Sequence, residues 1–316
     1  MKNHFIVYLL LVITSCSNES IDTNEEVNNQ ELTNYIFKTY NVGNDPNTII
    51  LERNFTIEND KIISSINTST QSNNIVTTEY TYENNRISEV SRYIDGSLIS
   101  IKNFTYNNEG NLSEYLNENI DSNQDSFYNK ISFIHTADTI YGISNGSEDG
   151  INFDINFVEA KIVLDTNKNK TYQEIYDVNN DETSYTEYTY DSNNNILTSN
   201  KFEEINGTFF SVLSFSYTYE NTINTLARIY EETYGRELLM LLNQHRELNT
   251  SALNYYDTKY ITTNCFQSVT SSFFGNNLSA EFTSTANEDN YSTYSDYKTL
   301  DSGSTISRFS YDFIFE

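Results

Sequence analysis

Along most of the chain apolar and polar residues alternate singly, and aromatic rings carry many of the apolar positions. In Tyr80-Thr81-Tyr82 the two rings share one face of an extended segment while Thr81 points to the other, the period-2 pattern of a half-buried strand. Such a pair, followed by an Asn-rich turn and an aliphatic residue, recurs. It appears in Phe55-Thr56-Ile57 to Ile62, Tyr80-Thr81-Tyr82 to Ile87, and Phe104-Thr105-Tyr106 to Leu112. It returns in Tyr188-Thr189-Tyr190 to Ile196 and in Tyr217-Thr218-Tyr219. The first three copies begin 25 and 24 residues apart and the last two 29 apart, room for two strands and two turns. Asp95-Gly96 and Asn206-Gly207 are type I′ hairpin signals between alternating runs. The pattern predicts a mostly β fold: an antiparallel meander of repeated hairpins, rolled or stacked, whose neighbours complete each other's cores.

Residues 226 to 247 break this rhythm. Leu238, Leu241, Leu242 and His245 recur at helical spacing among Arg236, Glu237, Asn243, Gln244, Arg246 and Glu247, which predicts one amphipathic helix over about 235–248. A turn or shorter helix at 226–233 precedes it. Its apolar stripe is expected to cover an open edge or end of the sheet. Residues 258 to 316 return to strand patterns at Lys259 to Thr262, Ser268 to Phe274, Leu278 to Ser284 and Ile306 to Phe315.

Tyr188-Thr189-Tyr190-Asp191, with its degenerate copies in which Glu83, Asn107 or Glu220 replaces the Asp, resembles the tyrosine–aspartate (YD) repeats of the Rhs family. With the N-terminal segment described next, the chain resembles YD-repeat-like lipoproteins of Bacteroidetes and Flavobacteria. The resemblance covers about residues 50 to 220. It implies stacked or rolled hairpins and brings no catalytic residues.

The chain begins Met1-Lys2-Asn3-His4, then runs apolar from Phe5 to Ile13. One cation and a short apolar core mark a secretory signal, too short to span a bilayer. Ile13-Thr14-Ser15-Cys16 resembles a bacterial lipobox, which implies cleavage between Ser15 and Cys16 and lipidation of Cys16. The two or three acyl chains of such proteins, palmitate-like, give stable anchoring. Residues 17–46, rich in Asn and Glu, are read as a flexible acidic tether. The expected division is signal peptide 1–15, lipidated tether 16–46, hairpin repeats 47–225, helical insertion 226–257 and closing strands 258–316.

The formal charge is −27; loss of residues 1–15 removes Lys2 and no acidic residue, leaving −28. Such a chain repels nucleic acid. Hydrophobic content is only 37%, but 26 Tyr and 19 Phe bury enough area per residue to build a core. With Cys16 consumed by lipid, Cys265 is alone and reads as a buried, inert thiol.

Catalytic chemistry is sparse. His135 and His245 have no nucleophile elbow or metal motif around them. The acidic pairs Asp177/Asp181 and Glu203/Glu204 leave room for glycosidase-like chemistry, though solvated surface explains them more simply. Asp165, Asn167 and Asn169, and Asp177, Asn179 and Asp181, alternate as calcium-loop ligands do; hairpin turns are the simpler account. No other cofactor is implied. The leading expectation is an anchored envelope lipoprotein, placed at the outer membrane, that binds a glycan, peptide or envelope protein without catalysis. The alternatives are an anchored carboxylate-dependent hydrolase acting on glycans, or a lipid carrier or assembly factor.

Overall fold

The computed structural model describes residues 31–43, 45–121, 125–247, 260–273, 276–301 and 304–316. The alternating runs form 18 strands. They are β1 Leu32–Asn41, β2 Asp45–Glu58, β3 Lys61–Ser69, β4 Ser72–Glu83, β5 Arg86–Ile94, β6 Ser97–Tyr106, β7 Leu112–Ile120, β8 Ser126–His135 and β9 Thr139–Ser147. There follow β10 Ile155–Leu164, β11 Lys170–Asp177, β12 Glu182–Tyr190, β13 Ile196–Ile205 and β14 Thr208–Ile223, then helices α1 Thr225–Tyr234 and α2 Arg236–Glu247. Strands β15 Asn264–Phe273, β16 Asn276–Ala286, β17 Ser292–Asp301 and β18 Ser304–Phe315 end the chain.

Each strand pairs antiparallel with the next, and β18 returns to β1, with Tyr35 opposite Phe313 and Phe37 opposite Tyr311. The meander is a closed barrel, and among the described strands none has a free edge to template association. Glu31 and Glu316 exchange both backbone hydrogen bonds, at 2.9 and 2.8 Å. The turn after β2, the helices and both of these residues lie at one end, which we call the plugged end. The turns after β1, β3 and β5 lie at the other, the mouth.

Register decides what faces where, because residues directly opposite share a face. The buried rings of Tyr35, Phe55, Phe215, Tyr217, Phe266, Tyr297, Phe309, Tyr311 and Phe313 all point inward. They pack in chains: Tyr35 stacks on Phe55 at 4.1 Å between centroids, and Tyr297 on Phe309 at 5.0 Å. The opposite parity is largely polar beside the closing seam, with Ile66, Ile134, Tyr141 and Ile314 exposed on it elsewhere. One outward row runs Glu281–Lys298–Arg308, and the next Asp296–Ser310–Lys38–Glu52. Within them Lys38 pairs with Asp312 at 2.6 Å and Arg308 with Asp296 at 2.9 Å.

The interior near the plugged end is filled by the helices. Asn224 caps α1, its side chain accepting from the Ala227 N–H, and Gly235, at φ 77°, redirects the chain into α2. Leu238, Leu239, Met240 and Leu241 are each at most 4% exposed, and four consecutive buried positions mean a helix enclosed on all sides. Of the two readings of residues 226–233, a turn or a shorter helix, the structure has the helix, and α1 and α2 cover an end of the sheet and not an edge, because the described strands close into a barrel. Hydrogen bonds tie them to the wall: Ile62 N–H donates to Thr233 Oγ1 at 3.1 Å, and Thr225 Oγ1 donates to the Ser292 carbonyl at 2.7 Å.

Three other expectations need correction. The segment read as tether is already wall from Leu32, because Tyr35 and Phe37 supply inward rings that its Asn-rich surroundings disguise. Tyr260 to Thr262 form a turn and coil; the strand starts at Asn264. Strand β17 was not anticipated. Ser15 and Cys16, with the rest of residues 1–30, lie outside the described residues, as does the His245 side chain.

The repeat has a physical meaning. In four copies the second ring of the pair donates its hydroxyl to a carbonyl at the plugged end of the preceding strand. Tyr82 reaches Ile62 at 2.6 Å, Tyr106 reaches Ile87 at 3.0 Å, Tyr190 reaches Lys170 at 2.9 Å and Tyr219 reaches Ile196 at 2.6 Å. The bond fastens two strands where no turn joins them. A cation before the aliphatic residue covers the same ring: Lys61 lies over Tyr82 and Arg86 over Tyr106. Each then donates to a turn carbonyl 24 residues on, Asn85 and Gly110 respectively.

The turns follow two designs. Asn59-Asp60, Asn84-Asn85, Asp95-Gly96 and Asn206-Gly207 have positive φ at both positions, the type I′ geometry. The longer turns begin with a side-chain acceptor. Asp191 Oδ1 takes the N–H groups of Asn193 and Asn195 at 2.8 and 2.9 Å, and Asn107 Oδ1 does the same for Glu109 and Asn111. The Asp of the Tyr-Asp motif is thus a turn-forming residue.

Candidate functional site: the open half of the lumen

Toward the mouth the inward positions change character. The apolar stretches of β11 to β14 give way to Gln173, Asp177, Lys201 and Glu203, interleaved with Ile175 and Leu213, and a cavity of about 420 Å³ opens against this wall. Its floor is aromatic, with Tyr188, Phe215 and Tyr217. Lys201 and Glu203, two apart on β13, both face inward and pair at 2.8 Å. Phe127 and Phe210 share this inward parity, at 39% and 51% exposed. The lining here mixes charged, polar and aromatic side chains, unlike the apolar half below.

Lys170, 1% exposed, stands at the plugged end of β11 and extends its side chain toward Gln173. Its ammonium donates to Gln173 Oε1 and lies 5.0 Å from the Tyr188 ring centroid. Burial of a charge requires such partners. Gln173 Nε2 is buried without a hydrogen bond.

The acidic pairs singled out in the sequence are divided by the fold. Glu203 and Glu204 both border the cavity, but only Glu203 has inward parity; Glu204, opposite Phe209, takes the outer parity. Asp177 lines the cavity, but Oδ1 accepts from the Asn179 and Asn180 N–H groups, at 2.9 and 3.2 Å, and Oδ2 from Asn180 Nδ2. Asp181 accepts from the Tyr176 hydroxyl at 2.9 Å. Asp165 is bound in the same way as Asp191: Oδ1 accepts from Asn167 and Asn169 N–H, and Oδ2 from Asn169 Nδ2. Turn geometry therefore accounts for both oxygen-rich loops. Among the described residues no group of three or more His, Cys, Asp or Glu side chains is placed to hold a metal ion.

The remaining candidates belong to the plug. His135 Nε2 lies 2.7 Å from the Leu112 carbonyl, and its Nδ1 is 3.8 Å from Glu237 Oε1. Glu237 also pairs with Lys168 at 3.1 Å. Arg236 donates to Asn169 Oδ1, at 2.9 Å from Nε, which joins α2 to the turn that begins at Asp165. These residues clamp the helices to the turns of the plugged end. Cys265 is buried, and burial, above all, pushes its thiol up to about 11, so it holds its proton near neutral pH.

On the outer wall the rings of Tyr172, Tyr185, Phe202 and Phe209 make a continuous stripe, with Tyr185 stacked on Phe202 at 4.7 Å. No described helix is long and apolar enough to cross a membrane.

No family model matches this chain, and no curated protein does. Among solved structures it is similar to a porin-like protein from Bacteroides uniformis, at 8% identity over 90% of this chain and 98% of that one, with a TM-score of 0.42. It is likewise similar to a porin-like protein from Bacteroides vulgatus, at 13% identity over 91% and 99% of the two chains, with a TM-score of 0.41.

Proposed function

We propose that this chain is a lipid-anchored envelope lipoprotein of the outer membrane whose barrel stands in water and whose lumen is a non-catalytic binding chamber. The observation that carries this reading is the polarity of the outer wall. Lys38, Glu52, Glu281, Asp296, Lys298, Arg308 and Asp312 lie outward within the strands around the closing seam. A hydrocarbon belt would charge about 2–4 kcal/mol for each such Lys or Arg near its midplane. The two buried apolar clusters are turned inward, onto the barrel's own helices, where water-soluble proteins put them. Membrane attachment then falls to the lipid on Cys16, supported by the Ile13-Thr14-Ser15-Cys16 motif.

The barrel closes on itself within Glu31–Glu316, a single compact unit, so a chain starting at Ser17 is its soluble form. That chain is expected to purify monodisperse without detergent and to leave planar bilayers non-conducting. A requirement for detergent, together with stepwise conductance, would refute the reading in favour of a pore. Labelling with radioactive palmitate in cells, lost in Cys16→Ala, tests the anchor separately.

A further inference from the structure

Opposite the acidic wall of the lumen lies a cationic one. Register puts Arg53 on the inner face of β2, with Phe37 and Asn67 as its cross-strand neighbours. It puts Arg92 on the inner face of β5, between Thr78 and Ser100. All four neighbours are uncharged, in a chain whose net charge is −27. Among the described residues neither guanidinium has an ion-paired carboxylate. Outward carboxylates are abundant on the same strands, Glu52 and Glu89 among them, but they point away from the lumen.

The polar atoms around these two side chains are also unfinished. Arg53 Nε, Ser65 Oγ and Asn67 Oδ1 are buried without hydrogen-bond partners. Ser65 and Asn67 are only 2% and 8% exposed, and Ser65 is in register with Thr78, which is in turn opposite Arg92. Three orphaned polar atoms in adjoining positions are costly, each by the desolvation of a group that water no longer serves. A protein recovers that cost when a ligand supplies the partners.

We infer that Arg53 and Arg92, with Ser65 and Asn67, form a binding site in the lumen for a carboxylate-bearing sugar, as in the uronate units of an acidic glycan. The donors and acceptors match that chemistry. Two guanidinium groups and the Ser65 hydroxyl donate to a carboxylate, for which the planar arginine fork is well shaped. Asn67 Oδ1 is an acceptor, so it needs a donor from the ligand, and a sugar hydroxyl beside the carboxylate is one. A bare anion satisfies the arginines and leaves Asn67 orphaned. Arg92 also feels Arg53: burial and the neighbouring positive charge both lower its pKa, and a bound anion would relieve that repulsion. Arg92 lies toward the mouth on β5 and Arg53 near the middle of β2. This inference rests on the proposed reading of the lumen as a water-filled chamber.

The test is calorimetric titration of the chain from Ser17 with glucuronate, glucose and inorganic phosphate. Glucuronate is expected to bind at least tenfold more tightly than either. Arg53→Gln and Arg92→Gln should each weaken it roughly tenfold or more, and Lys201→Gln, on the opposite wall, should not. Circular dichroism and melting of each variant establish that it is folded. Equal binding of glucose, phosphate binding as tight as glucuronate, no glucuronate binding, or indifference to Arg92→Gln in a folded variant would each overturn the inference. Conductance in planar bilayers bears only on the proposed function, so the two readings fail by different measurements.

Discussion

Lys38 Nζ lies 2.6 Å from Asp312 Oδ2, across the seam where the first strand meets the last. The pair is on the water side of the wall, with the two side chains 22% and 35% exposed. Exposed pairs of this kind contribute at most about 1 kcal/mol. Asp312→Asn is therefore expected to lower the unfolding free energy by less than about 1 kcal/mol, with the difference fading in 1 M salt. Urea titrations at two ionic strengths measure it. A loss of several kcal/mol at both would mean that the seam is drier than its exposure indicates.

The tyrosine bonds at the plugged end should behave as separate fasteners. Tyr106→Phe removes the 3.0 Å bond to the Ile87 carbonyl and keeps the ring beneath Arg86. A cost of about 1 kcal/mol is expected. Hydrogen exchange should quicken locally where β5 and β6 meet at the plugged end, with little change at the mouth. Uniform loss of protection would show instead that the hydroxyl acts on the barrel as a whole.

Asp191 accepts two backbone N–H groups and the Asn195 amide. Asp191→Ala strands all three donors, and a destabilisation of about 1–2 kcal/mol is expected, as for loss of a helix cap. Asp191→Asn keeps an acceptor and should recover most of it. If the two variants are equally unstable, the charge matters and the turn geometry does not.

Four consecutive residues of the plug, Leu238 to Leu241, are buried. Leu241 is 1% exposed, and Leu241→Ala is expected to cost about 2–5 kcal/mol through lost burial and the cavity left behind. Denaturant unfolding measures it; a cost near zero would mean that the helices are not seated in the lumen.

Alkali should loosen the barrel. Burial, partly offset by the Arg86 charge, raises the Tyr106 phenol to about 12, and burial raises the Cys265 thiol to about 11 from an ordinary 9.0. Between the ordinary and raised values the unfolded chain gives up protons that the folded barrel retains. The folded state then binds more protons, so stability falls as pH rises. It is full below about pH 9 and declines progressively toward pH 12. Urea midpoints at pH 8, 10 and 11, followed with tyrosinate absorbance, test the direction. A midpoint that does not move would contradict the burial of these groups.

Much of the wall was legible because each hairpin is a local event. Asp95-Gly96 and Asn206-Gly207 have the positive φ values their residue types allow, and the helical spacing of Leu238 and Leu241 marked α2. Closure was not legible, since the β1–β18 pairing joins residues at opposite ends of the chain and no nearby residue encodes it. Alternation alone is also silent about which face is inside; a barrel facing lipid and one facing water read alike until the ring is closed. The lumen site left one faint mark. Arg53 occupies the parity of Phe55, two residues on, so a charge stood where the pattern called for an apolar side chain. Asp165 and Asp177 read two ways in the sequence, because a carboxylate that organises a turn has the same spacing as one that waits for a cation.

Glu31 and Glu316 bind each other at the plugged end, so the first and last described strands are stitched together at their tips as well as along their length. Neither tip can fray without loosening the seam that closes the ring.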